Sequence, residues 1–175
     1  MPTRVILIRA VNVGPAQLPM AEWRKILESL GATDVRTYIA SGNAIADVPG
    51  DPDDFDRKVE QAVETEFGFF REVMSRTPDE LQQALDAHPF KVDEPKYSYI
   101  APLTATPPAK AIEKAQDVAT GNDEWLVVGR DLHIKYANGA GRADLDSNKL
   151  LKALGVKGTA RNLNTVKTLI ELSKK

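Results

Sequence analysis

The sequence predicts an α+β protein made of two ferredoxin-like βαββαβ subdomains with an extra C-terminal helix. Strand-like and helix-like runs alternate in the order β-α-β-β-α-β over residues 4–76, which is the order of the ferredoxin-like unit. A similar order recurs after residue 96, and an amphipathic run closes the chain. The predicted domains are an N-terminal subdomain, a connecting helix and linker, and a C-terminal subdomain with the terminal helix, over residues 1–76, 77–95 and 96–175.

The first half opens with a strand and a helix. Arg4 to Val11 is rich in Val and Ile and predicts a buried strand. A helix is expected from Pro19, a residue favoured at the first helical position, to Gly31, which accepts a left-handed conformation. Leu18 is a poor cap, so we expect that something outside this helix holds its start.

A hairpin and a second helix follow. Strand-like residues 35–39 and 44–46 flank Ser41-Gly42-Asn43, and a Gly-Asn pair between such runs predicts a tight turn. Asp51-Pro52 then opens a helix with a capping residue and a proline at the first position. Gly68 is the expected end of this helix, and Phe69 to Met74 is the predicted fourth strand.

The second half repeats this succession after a helix that starts at a capping box, Thr77-Pro78-Asp79-Glu80. Ser147 is the expected cap of its second helix, and Gly155 is the expected end. The predicted elements are a strand over 97–101, a helix over 107–116, a hairpin over 125–136, a helix over 147–154 and a brief edge strand over 158–161.

The segment from Thr159 to Thr165 carries the densest group of polar residues beside a helix start. Asn162 is a candidate N-cap, because its side-chain oxygen can accept a hydrogen bond from an amide two or three residues later. The same amides and the helix dipole can instead face an anion. Arg161 would add a planar fork that suits phosphate or carboxylate. The alternative is structural: Asn162 caps the helix and Arg161 pairs with an acidic neighbour.

Composition excludes several classes of protein. The chain has no cysteine, which removes disulfides, thiolate metal sites and cysteine nucleophiles. Apolar and charged fractions of 42% and 27% are those of a globular chain. No apolar run approaches the roughly 20 residues of a membrane span, and the N-terminal run is too short for a signal peptide. We therefore expect a cytoplasmic protein without membrane contact.

Charge is unevenly distributed. The net charge of −2 argues against a general nucleic-acid binder. Residues 1–125 carry 13 basic and 21 acidic side chains, whereas residues 126–175 carry 10 and 4. Long-range attraction of an anion would therefore favour the part of the chain that contains Arg161.

Catalytic and cofactor motifs are incomplete. Gly139-Ala140-Gly141 lacks the third glycine of a dinucleotide loop, and the calcium-like spacing that starts at Asp144 fails at its glycine and twelfth positions. We therefore predict no metal and no cofactor. Neither Ser41 nor Ser147 lies in a nucleophile elbow, and we interpret His88 and His133 as surface or capping residues. No catalytic residue is assigned.

Four segments together resemble a known family along essentially the whole chain. They are Arg9 to Gly14, Pro19 to Glu22, Tyr38 to Asn43 and Thr159 to Val166. They are similar to the bacterial family catalogued as domain of unknown function 1697, which usually has glycine at position 10 and an aromatic residue at position 163. The resemblance implies paired ferredoxin-like subdomains but no established activity. It also implies recurring residues at Arg9, Asn12, Gly14, Ser41, Gly42, Asn43, Arg161, Asn162 and Thr165.

The leading hypothesis is a module that binds a small phosphate- or carboxylate-bearing ligand or nucleic acid. Of these ligands RNA is the less favoured, because the aromatic-rich strand of an RNA-recognition module is not evident. Alternatives are a protein-interaction domain without ligand, and a hydrolase or transferase acting on a phosphorylated small molecule. The sequence does not indicate an oligomeric state. The predicted ligand-binding residues are Arg9, Asn12, Ser41, Asn43, Arg161, Asn162 and Thr165.

Overall fold

A computed structural model describes residues 1–174 and contains two four-stranded antiparallel sheets. The strand orders are β2-β3-β1-β4 and β6-β7-β5-β8, so the second sheet repeats the arrangement of the first. The chain divides into two compact units, Met1–Leu81 together with the segment from Leu169, and Gln82–Thr168. The predicted fold class is confirmed: the protein is α+β, with two ferredoxin-like subdomains and a C-terminal helix.

The elements of the first half are β1 Thr3–Ile8, α1 Met20–Ser29, β2 Thr33–Tyr38, β3 Asn43–Asp47, α2 Pro52–Phe67, β4 Val73–Arg76 and α3 Pro78–Asp86. Those of the second half are β5 Ser98–Pro102, α4 Ala109–Ala115, β6 Glu124–Val128, β7 Asp131–Lys135, α5 Ser147–Leu154, β8 Arg161–Asn162 and α6 Leu163–Leu172. Short 3₁₀ helices cover Pro95–Tyr97 and Ala140–Arg142.

Helix ends follow the local signals of the sequence. Asp51 accepts a hydrogen bond from the amide of Asp54 at 3.0 Å, and Gly68 ends α2 in a left-handed conformation. The capping box of α3 forms in both directions, because the Thr77 amide donates to Glu80 and the Glu80 amide donates to the Thr77 hydroxyl. These predictions are confirmed. Each involves residues only a few positions apart, which is why the pattern was sufficient.

Several predicted boundaries were wrong, among them the edge strand over 158–161, which is observed at Arg161–Asn162. β1 ends at Ile8 rather than Val11, because Ala10 has φ 53°, a left-handed conformation that a strand cannot contain. β4 begins at Val73, which pairs with the last residue of β1, so the preceding residues have no strand partner in the ladder. Asp146 caps α5 in place of Ser147, and its carboxylate accepts from the amides of residues 148 and 149.

Each unit has its own apolar core. In the first unit, Ile6 and Ile8 of the central strand pack with Trp23 and Leu27 of α1 and with Val59 of α2, among others. In the second unit the core contains the apolar side chains of one face of the sheet and of α5. Its buried members are Ala101, Leu103, Ala115, Leu132, Ile134, Tyr136, Leu145, Leu150, Leu154 and Val156. Within residues 1–174, no helix combines the length and apolar character that crossing a bilayer requires.

Candidate functional site

Four of the seven predicted ligand-binding residues lie at one end of the first sheet. Leu7 of β1 and Tyr38 of β2 both pair with Asn43, the first residue of β3, so β1 and β2 end where β3 begins. Arg9 and Asn12 follow β1, and Ser41 precedes β3. The loop after β1 and the turn before β3 therefore meet at this end, which we call the loop end of the first sheet.

Asn12 is the residue that joins these loops. Its Oδ1 accepts from the Leu18 amide at 2.8 Å, and its Nδ2 donates to the carbonyls of Leu18 at 2.8 Å and Ala40 at 2.7 Å. The start of α1 is thus held by a side chain outside the helix, as the poor cap at Leu18 predicted. Asn12 also has φ 59°, a conformation in which asparagine is tolerated better than most residues.

The turn before β3 is closely packed. Asn43 is fully buried, and its Nδ2 donates to the Tyr38 carbonyl and to the Ser41 hydroxyl, both at 3.0 Å. Gly42 has φ 87°, and a Cβ there would lie 2.5 Å from Cγ2 of Ile8. A side chain at position 42 would therefore collide with β1, so the turn requires glycine for both reasons.

Arg9 has an acidic partner at the same end. Its guanidinium lies 3.3 Å from the Glu72 carboxylate, and both side chains are partly exposed. The guanidinium of Arg71 donates to the carbonyls of Ala10 and Phe70 and lies over the ring of Phe69. Asn12 and Asn43 thus bind the backbone of their own loops, whereas the two arginines lie nearer to solvent.

The other three predicted residues lie in the second unit, where β8 leads into α6. The Thr165 amide donates to Oδ1 of Asn162 at 2.9 Å, which confirms Asn162 as a helix cap. Arg161 is only 8% exposed, and its guanidinium donates to the Thr159 hydroxyl at 2.5 Å and to the Ala160 carbonyl at 3.0 Å. Burial lowers the pKa of Arg161 to about 10.

Strand pairing brings Arg161 onto the same sheet face as His133. Ile100 of β5 pairs with Arg161 on one side and with His133 on the other, and His133 pairs with Leu126. Directly paired antiparallel residues project to the same face. This face is opposite to the apolar core, because the neighbours of His133 along β7 belong to that core. We call it the polar face, and its polar members are Ser98, Glu124, Asp131, His133, Lys135 and Arg161.

The two histidines, interpreted from sequence as surface or capping residues, form a pair instead. His133 is fully buried and His88 is half-buried, and their Nδ1 atoms lie 2.8 Å apart. The ring of Phe90 packs edge-on against His88. His133 is therefore not a surface residue. Its position between Leu132 and Ile134 suggested an exposed face, but both faces of this central strand are buried at that point.

Burial keeps both imidazoles neutral. It lowers the pKa of His133 to about 4, with a smaller contribution from His88, and it lowers the pKa of His88, with a smaller contribution from Lys135. Neither Nε2 atom has a hydrogen-bond partner within residues 1–174, and the same is true of the buried Ser98 hydroxyl. The polar face thus contains buried donors and acceptors that no described side chain satisfies.

Comparison with known proteins adds the family and the fold. The profile of a family described as "Protein of unknown function (DUF1697)" matches residues 1–133, a range that includes both histidines but ends before Arg161. The conserved bacterial protein SP0830 from Streptococcus pneumoniae has a similar structure, with a TM-score of 0.72 and 18% identity over 100% of this chain and 99% of that one. At this identity the likeness concerns the fold alone. None of the curated proteins compared with the chain matches it.

Proposed function

The chain belongs to the DUF1697 family, whose function is unknown, and we propose that it binds a small anion bearing a phosphate or carboxylate group. The observation that carries the proposal is the buried guanidinium of Arg161 on the polar face, next to the start of α6. Arginine presents a planar fork of N–H donors that matches such oxyanions. Of the three residues predicted in this unit, Arg161 is the one that we place in this site. Asn162 pairs with Tyr99, which packs against the core on the opposite face, and its side chain caps α6 by accepting from the Thr165 amide.

The electrostatic environment supports this choice. Removing a cation from water is costly, and the lowered pKa of Arg161 reflects that cost. An anion beside the guanidinium would offset it, and the attraction between them is stronger in a buried site than in water. The positive end of the α6 dipole adds a further contribution of the same sign. The excess of basic over acidic residues after position 125 would attract an anion over a longer range.

Access to the site is the remaining requirement. The row of residues that contains Arg161, Ile100 and His133 reaches Leu126, which is 45% exposed. On the same face Lys135 has a side chain that is 21% exposed. We propose that a small ligand enters from the β6 side of the polar face, where a large one would not fit beside the buried row.

Thermal denaturation with added sulfate, succinate or adenosine monophosphate tests the proposal. A ligand present at 100 times its Kd stabilises by about 2.7 kcal/mol, which raises the Tm of a protein of this size by several degrees. Arg161→Lys keeps the charge and removes the fork, so it should abolish most of the shift. Arg142→Lys is the matched control at an exposed position and should leave the shift unchanged.

The Tm shift is compared within each variant, with and without anion, so any loss of stability in Arg161→Lys itself cancels. No shift with any of the three anions would refute the proposal, and so would equal shifts in the two variants. A short RNA is a further ligand to test. Its affinity should fall steeply with salt if several phosphates are bound, whereas a single small anion should show a shallow dependence.

A protein-interaction domain is the second candidate, and the loop end of the first sheet favours it. Val13, Ile39 and Phe70 are 78%, 52% and 48% exposed, and they lie on three loops at that end. A contiguous patch of exposed apolar side chains is typical of an interaction surface, and we propose that these three residues contribute to one. If the partner is a second copy, sedimentation should show concentration-dependent association that Phe70→Ser weakens. A monomer at all concentrations would contradict that form of the hypothesis.

A further inference from the structure

We propose that the His88–His133 pair is a second receptor for the oxyanion on the polar face, and that it takes up one proton when the anion binds. The inference rests on the proposed function and deepens it, because it adds two ligand-binding residues and a proton linkage. Neither histidine was among the residues predicted from the sequence.

Strand register makes the pair a neighbour of Arg161. His133 and Arg161 both pair with Ile100, from opposite sides, and all three side chains project to one face. Two strand spacings separate their backbones, which is about 10 Å. Side chains of this length can approach a single bound molecule from two sides. His88 reaches the same place through its 2.8 Å contact with His133.

The hydrogen bond between the rings dictates what each outer nitrogen can do. At an Nδ1 to Nδ1 distance of 2.8 Å, one ring must donate and the other must accept. When both rings are neutral, the accepting ring carries its proton on Nε2, and the donating ring has a bare Nε2. Both Nε2 atoms are buried, and neither has a partner in the described part of the chain. A buried donor without an acceptor costs about 1–3 kcal/mol.

Adding one proton to this arrangement creates a receptor for an anion. The proton comes from solvent and binds the bare Nε2 of the donating ring, while the bond between the Nδ1 atoms is retained. The donating ring becomes an imidazolium with a free N–H, and the accepting ring already has one. An oxyanion supplies the acceptor that these N–H groups lack and the charge that the imidazolium requires. No bond to the ligand is made or broken.

The surroundings explain why the pair is neutral without ligand. Desolvation disfavours the charged form of both rings, and the Lys135 ammonium disfavours it further at His88. Lys135 itself is held 3.0 Å from Asp93. Charged groups that share this face or contact those on it include Glu124, Asp131, Lys135, Arg161, Asp93 and, through Asp93, Lys91. A bound anion would add negative charge to this group and raise the pKa of the pair.

The histidine content makes the test direct. The chain contains 2 histidines, and both belong to the pair. Histidine-labelled protein therefore gives one NMR titration curve for each ring, without interference. Sulfate is the probe, because it is a tetrahedral dianion that does not itself titrate between about pH 5 and about pH 8, the range in which histidine is sensitive. Calorimetry in buffers of different ionisation enthalpy counts the protons taken up.

With saturating sulfate, the pKa of at least one ring should rise above its ligand-free value, and about one proton should be taken up per anion bound. The affinity for sulfate should increase as pH falls from about 8 to about 5. In His88→Gln, which replaces the half-buried ring by a neutral amide, sulfate should bind more weakly than to the unmodified chain at low pH, and the increase in affinity with falling pH should be lost.

The outcomes separate this inference from the proposed function. If sulfate binds through Arg161 without proton uptake and both histidine titration curves are unchanged, the histidines are only a packed core pair and the inference is wrong. If sulfate does not bind at any pH, the proposed function fails, and this inference fails with it. The measurements on the unmodified chain are decisive even if His88→Gln does not fold.

Discussion

Replacing Asn12 by alanine should destabilise the first unit by about 3 kcal/mol. The Asn12 side chain makes three hydrogen bonds, two with the backbone of Leu18 and one with the carbonyl of Ala40. Each contributes about 1 kcal/mol net. Alanine also tolerates the positive φ at position 12 less well than asparagine does. In a protein of this size, such a loss lowers the Tm by about 6–12 °C.

Urea unfolding followed by tryptophan fluorescence measures this loss unit by unit. The chain has 2 tryptophans, of which Trp23 is buried in the core of the first unit and Trp125 packs in the second. In a Trp125→Phe background, fluorescence reports the first unit alone. Asn138→Ala, at an exposed position, is the control and should change stability by less than about 0.5 kcal/mol.

A loss below about 1 kcal/mol for Asn12→Ala would refute the reasoning, because it would mean that water replaces the three bonds without cost. The result also bears on function. If the variant is destabilised but the anion-induced Tm shift is unchanged, Asn12 acts by holding the loops together and does not bind the ligand. If the shift disappears in a variant of normal stability, Asn12 belongs to the site.

Three other perturbations have defined outcomes. Asn162→Ala should lower the free energy of unfolding by about 1 kcal/mol through loss of the α6 cap. Asn164→Ala, two residues later at an exposed position, is the control and should have little effect; equal losses in the two variants would contradict the capping assignment. Ala10→Gly should raise the free energy of unfolding by up to about 1 kcal/mol, because glycine accepts φ 53° without strain. Ala40→Gly is the control, since Ala40 does not have a positive φ; an equal stabilisation in that variant would contradict the explanation. In the folded chain the pKa of His133 is about 4, below its ordinary value of 6.5. As pH falls from 6.5 towards 4, the unfolded chain binds a proton that the folded chain does not, so the free energy of unfolding should decline. Urea midpoints measured over this pH range should decline less in His133→Gln; an equal decline would show that another group is responsible.

Local signals predicted the elements and most of their ends. The caps at Asp51, Thr77 and Asn162 were readable because each joins residues three positions apart. Apolar periodicity was sufficient for the helices and strands, since a buried face recurs at the period of its own element. The error at Val11 occurred where Ala10 adopts a left-handed backbone that its residue type does not indicate. The error at Phe69 occurred where the strand has no pairing partner, and pairing is not a local property.

The site was less predictable for the same physical reason. Sequence pattern identified Arg161 and Asn12 as polar residues beside turns, but it did not identify what they contact. The two histidines are 45 positions apart, and the Asn12 side chain reaches a carbonyl 28 positions away. Those partners depend on strand register and on the packing of loops.

Composition, periodicity and capping residues therefore specify the class, order and approximate bounds of the elements, because each depends on residues within about one turn or one hairpin. Which side chains share the polar face follows only from the register of β5, β7 and β8. The contact of His133 with His88 further requires the segment after α3 to pack against that face. Register sets the face on which every strand residue lies, and it results from the packing of the whole sheet rather than from any single segment.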